Sequence, residues 1–135
     1  MDKVTAITKK EQFKTIVNSA TNSLIVDEPV DLGGQDLGFS PHQLLAGALA
    51  SCTSITLRMY TNHKKWEVDD IKVDVSLEFD SKGNYTTFQR DIFVSGQLDE
   101  GQRKRLLSVA DACPLHKILI NTVTIHSDLL VAETP

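Results

Sequence analysis

Two cysteines and a handful of histidines, carboxylates and lysines are the side chains of this sequence with chemistry to offer. Cys52 sits in the middle of the stretch Leu44-Leu45-Ala46-Gly47-Ala48-Leu49-Ala50-Ser51-Cys52-Thr53-Ser54-Ile55-Thr56-Leu57, which carries no charge until Arg58. A cysteine in such surroundings packs as a small apolar side chain, because burial raises the thiol pKa. Reactivity requires a nearby cation or strong hydrogen-bond donors. Cys113 precedes Pro114, a residue suited to the first position of a helix, so it falls at a helix start. There, free backbone N–H groups and the positive end of the helix dipole favour a thiolate. If folding joins the two, one sulfur can attack an oxidant and the other can resolve the product. A disulfide requires their Cα atoms to lie within about 7 Å, which sequence separation does not decide.

Other arrangements carry less. Cys113 and His116 have Cys-x-x-His spacing, and His42 and His63 could add ligands. With 4 histidines, 2 cysteines and no second paired motif, no metal site and no cofactor are expected. His42 stands about 15 Å along a helix from Cys52 and cannot touch it within one helix. Across an antiparallel pair of helices in a dimer, it could approach the partner's Cys52.

These side chains need elements to position them. Ser40 caps and Pro41 opens a helix expected to run from about Pro41 to Asn62. Because it is apolar or small on every face through Leu57, it is expected to be buried on every face. Upstream, Val4 to Lys9, Phe13 to Val17 and Leu24-Ile25-Val26 read as short strands, and Gly33-Gly34 and Gly38 mark a loop into the helix. Downstream, Ile71, Val73, Val75, Leu77 and Phe79 alternate with polar residues, predicting a strand with one dry face. Ser81 to Asn84 turns the chain, and Phe88 to Gly96 returns as a second strand. Asp99 and Gln102 form a capping-box pattern ahead of a helix to about Ala112 that buries Leu106, Leu107 and Ala110. A short helix from Pro114 with Leu115, Ile118 and Leu119 follows, then a last strand through Val123, Ile125, Leu129 and Val131. This order predicts an α+β domain.

The 135 residues suit one domain, residues 1–135, and 41% hydrophobic with 24% charged residues fits an ordinary globular chain. A net charge of -4, few aromatics and the single basic run Arg103-Lys104-Arg105 argue against nucleic acid as partner. The central apolar run is shorter than the ~18–20 residues of a membrane span. Two cysteines without an apolar leader predict a reducing, cytoplasmic setting. One dry sheet face covers one side of a helix, so an all-round apolar helix predicts a homodimer with that helix at its centre.

The run Ser40-Pro41-His42-Gln43-Leu44-Leu45 through Ala48-Leu49-Ala50-Ser51-Cys52, followed downstream by Ala112-Cys113-Pro114-Leu115-His116, resembles the OsmC/Ohr family of osmotically inducible and organic hydroperoxide resistance proteins. The resemblance implies an intertwined α+β homodimer, strands wrapped around central Cys-bearing helices, with active sites at the dimer interface. It also implies thiol peroxidase activity on organic hydroperoxides, with Cys52 as peroxidatic thiol, Cys113 as resolving thiol and an external dithiol as reductant. Peroxidase members hold their thiolate with an N-terminal Arg and a Glu. Here no Arg precedes Arg58, and His42 stands at the Glu position. Lys14, Glu28 and His42 are the candidates to replace that pair. The alternatives are a non-enzymatic dimer that binds a small apolar ligand and a redox sensor.

Overall fold

The computed structural model describes residues 2–131. The chain opens with a three-stranded antiparallel sheet, β1 (Thr5–Thr8), β2 (Thr15–Asn18) and β3 (Ser23–Val26) in sequential order. A loop with one 3-10 turn over Val30–Leu32 leads to the central helix α1 (Pro41–Lys64). A long hairpin follows, β4 (Val68–Asp80) and β5 (Tyr85–Gly96), and then α2 (Glu100–Ala110) and α3 (Pro114–Ile120). The α+β reading of the sequence holds.

The loop before α1 is held by a single buried carboxylate. Asp27 accepts from the backbone N–H groups of Phe13, Glu28, Gln35 and Leu37 at 2.8–3.3 Å. Those four donors outweigh burial, which opposes charge, and hold its carboxyl below the ordinary range. The glycines are needed for close approach. A Cβ on Gly34 would lie 2.0 Å from the Glu28 carbonyl oxygen, and one on Gly38 equally near that of Ile25.

Capping chemistry sets both long helices. The Ser40 hydroxyl accepts from Gln43 N–H at 3.1 Å while the Gln43 side chain accepts from Ser40 N–H. Asp99 and Gln102 repeat the arrangement at α2. Arg58 joins α1 to the hairpin by donating to the carbonyls of Val68 and Asp69 at 2.9 and 2.7 Å. The core gathers Leu57, Leu106, Val109 and Ala110, with Tyr60, Trp66, Ile92 and Val94 packed around them. The basic run of α2 is an exposed face, with Arg105 donating to the Tyr60 hydroxyl.

Three expectations need correction. In the single chain α1 buries one stripe, Leu49, Thr53, Leu57 and Thr61, spaced four apart. Leu45, Ile55 and Met59 stay exposed, because β4, α2 and α3 pack against one side of the helix. In α2, Val109 rather than Leu107 completes the buried face, and Leu107 points outward. The last strand does not form: residues 122–131 are in no strand, and Val123, Ile125, Leu129 and Val131 are exposed. Their apolar pattern has no neighbouring edge within the chain to pair with.

Candidate active site

Cys52 and Cys113 are both free thiols, Cys52 partly exposed and Cys113 fully buried. Cys52 comes from the middle of α1. Cys113 comes from the corner between α2 and α3, where it holds the N-cap position with Pro114 at the first helical turn. The Cys113 N–H donates to the Ala110 carbonyl at 3.2 Å and its own carbonyl accepts from Lys117 N–H, which fixes the corner. The fold brings the two sulfurs near enough that each alters the titration of the other.

Their environments differ in sign. Burial, followed by the adjacent Cys113 thiol, pushes Cys52 above the ordinary thiol range, against the Leu115 N–H and the Thr56 hydroxyl. Cys113 is also opposed by burial. That opposition is outweighed by the Cys52 thiol, the His116 and Leu115 N–H groups and the Thr53 hydroxyl, so Cys113 is held below the ordinary range. No capping hydrogen bond closes on its sulfur, so the amides act on it electrostatically. Of the two, Cys113 is the sulfur whose surroundings favour a thiolate.

A cavity of about 660 Å³ opens one helical turn from Cys52, lined by Leu45, Leu49, Phe88, Arg90, Leu107 and His116 among others. Its wall is mixed: Thr86, Thr87 and Gln89 add polar groups to the apolar side chains, with Arg90 and His116 as the cationic and titratable members.

The structure locates the three supporting candidates elsewhere. His42 is exposed in the first turn of α1. Glu28 lies in the loop organised by Asp27, its backbone carbonyl accepting from Asp36 N–H. Lys14 lines a hollow on the N-terminal sheet with Ile7, Glu11 and Ile16. None of the three is among the groups acting on the thiols within one chain.

Sequence reasoning missed Thr53, Arg90 and Asp111. Arg90 donates to Thr53 Oγ1 at 3.2 Å and forms an ion pair with Asp111 at 2.9 Å, with its side chain only 12% exposed. The signal lay in the alternation Phe88, Arg90, Ile92, Val94, which sets a charged side chain on the inward face of β5.

A helix-borne thiol facing an N-capping thiol, with a hairpin across them, defines a class of small two-cysteine α+β proteins. Residues 33–128 match the profile of the OsmC-like protein family, and the chain belongs to that family. Its fold is similar to that of an OsmC like protein from Mycoplasma pneumoniae, at 18% identity and TM-score 0.75, covering 88% of this chain and 86% of that one. It is similar also to an organic hydroperoxide resistance protein of Bacillus subtilis, at 24% identity and TM-score 0.61, covering 89% and 90%. A third is an organic hydroperoxide resistance protein from Elizabethkingia anophelis, at 18% identity and TM-score 0.66, covering 89% and 88%. A search of curated protein sequences returns no match. No helix among the described residues is long and apolar enough to cross a membrane.

Proposed function

We propose that this protein is a thiol-dependent redox enzyme that reduces organic hydroperoxides through a Cys52/Cys113 dithiol–disulfide cycle, working as a homodimer. The observation that carries this reading is the approach of two free thiols from distant parts of the chain, with a cavity one helical turn away along α1. Family membership supports it, as do the names of the Bacillus and Elizabethkingia proteins.

Cys52 is the more open sulfur and the one an incoming hydroperoxide meets. Its proton passes to Cys113. The Cys52 thiolate attacks the terminal peroxide oxygen, the O–O bond breaks, and Cys52 becomes a sulfenic acid. The alkoxide takes a proton back from Cys113 and leaves as the alcohol. The Cys113 thiolate attacks the sulfenic sulfur, forming the S–S bond and expelling hydroxide. An external dithiol then returns both cysteines to thiols and is itself oxidised to a disulfide. The cycle needs a reducing compartment such as the cytoplasm. The apolar side chains in the cavity wall, Leu45, Leu49, Phe88, Leu119 and Ile120, favour organic hydroperoxides over hydrogen peroxide. The exposed Ile55 and Met59 on α1 support a dimer that covers them, and in such a dimer Lys14, Glu28 or His42 reaches the thiols from the partner.

A second reading, a dimer that binds a small apolar ligand or senses oxidant without turnover, draws on one observation: Cys52 is held as a thiol. Steady-state reduction of cumene hydroperoxide with dithiothreitol separates the two. Cys52→Ser abolishes turnover, and Cys113→Ser, which removes both the proton acceptor and the resolving thiol, abolishes it too, with any Cys52 that is oxidised stopping at the sulfenic acid. Turnover that survives loss of Cys52 overturns the mechanism. Stoichiometric disulfide without turnover supports the sensor, and unreactive thiols support the binding module.

A further inference from the structure

One basic side chain ties the two cysteine-bearing segments together from the strand across the site. Arg90 projects from the inward face of β5, opposite Val75 of β4. Its guanidinium touches both cysteine-bearing segments. Toward α1 it donates to Thr53 Oγ1 at 3.2 Å, next to Cys52. Toward the α2–α3 corner it donates to Asp111 Oδ1 at 2.9 Å and, weakly, to the Ala110 carbonyl at 3.4 Å. That same Ala110 carbonyl accepts the Cys113 N–H.

Thr53 is the connecting group. It is fully buried, and its hydroxyl donates to the Leu49 carbonyl at 2.8 Å while accepting from Arg90. The same hydroxyl lies near enough to Cys113 to favour its thiolate. A hydroxyl that accepts from a guanidinium is a stronger donor. As charge develops on Cys113, its proton can turn from the Leu49 carbonyl toward the sulfur.

We propose that Arg90, anchored by Asp111, is a positioning residue that aligns the Thr53 hydroxyl and the Ala110–Cys113 corner on the dithiol pair. The proposal rests on the reading that Cys52 and Cys113 act as a pair. The charged and titratable groups of this arrangement are Arg90 from β5, Asp111 from the corner and His116 from α3, and Cys52 acts on Cys113 directly from α1. His116 Nδ1 lies 3.9 Å from Asp111 Oδ1, so protonated His116 competes with Arg90 for that carboxylate. Bidentate reach to a hydroxyl and a carboxylate suits the guanidinium fork and not an ammonium.

The test is the pH dependence of iodoacetamide alkylation of the reduced protein, which requires no peroxide turnover. Arg90→Met is expected to raise the midpoint of thiolate formation by about one pH unit, roughly a ten-fold loss of thiolate near neutrality. Arg90→Lys restores part of that shift. Asp111→Asn, at a largely exposed position, removes the anchor and is expected to raise the midpoint by a smaller amount. A purely structural clamp predicts lower unfolding stability with an unmoved midpoint. Folded Arg90→Met with an unmoved midpoint overturns the proposal. If Arg90→Met does not fold, Asp111→Asn decides alone: a midpoint unchanged or lowered overturns it. Predicted shifts in a protein that reduces no hydroperoxide would leave this inference standing and remove the proposed enzyme activity. Turnover without the shifts would do the reverse.

Discussion

At the scale of single residues, a thiol's chemistry here is decided by the donors its neighbours aim at it. Cys52 and Cys113 have the same intrinsic acidity, and burial opposes the thiolate on both. The Cys52 thiol, then the α3 amides and Thr53, outweigh burial at Cys113 and favour its thiolate. Asp27 shows the same rule in a structural role, since four backbone donors keep a buried carboxylate charged. Its folded pKa lies below the unfolded value, so its stabilising effect is present above the unfolded pKa and is lost as pH falls through the folded one. Urea unfolding between neutral pH and about pH 3 should therefore show stability falling in the acid range, with a shallower fall in Asp27→Asn and a lower starting stability. An equal acid slope in the two proteins would remove Asp27 as the cause. Both cysteines were legible in the sequence, Cys113 through Pro114 and Cys52 through its apolar run. Arg90 was not, because alternation tells which way a side chain points and not what it meets.

At the scale of elements, capping and alternation were readable because they are local. The boxes at Ser40 and Asp99 lie at the helix starts the sequence predicts. The alternation of β4 runs from Ile71 to Leu77, and Phe79 near its end is exposed. Ser40→Ala should cost about 1 kcal/mol of unfolding free energy. Leu57→Ala, in the middle of the buried stripe, should cost about 2–5 kcal/mol. Denaturant titration measures both, and a smaller effect at Leu57 than at Ser40 would contradict the placement of the core. The terminal strand was misread for a physical reason. A period of two records which residues seek a dry face, but the edge that supplies hydrogen bonds must come from elsewhere, and residues 122–131 pair with none among the described residues.

At the scale of the whole molecule, one chain leaves large apolar side chains uncovered, and the proposed homodimer would cover them. Ile55 and Met59 on α1 and Ile125, Leu129, Leu130 and Val131 near the C-terminus are all exposed. A second copy of the chain is the partner that the all-round apolar helix predicts. Light scattering at micromolar concentration should give twice the 14.9 kDa chain mass. Ile55→Asp, which sets a charge on the exposed face of α1, should shift the population to monomer. A monomeric wild type would contradict the dimer and, with it, any contribution of the partner's Lys14, Glu28 or His42.

The central claim is that Cys52 and Cys113 form a redox couple, and peptide mapping of the oxidised protein tests it most directly. Reduced protein treated with one equivalent of cumene hydroperoxide and then alkylated should yield a Cys52–Cys113 cross-linked peptide, with neither cysteine alkylated. Recovery of both cysteines as alkylated thiols after excess hydroperoxide would contradict the account.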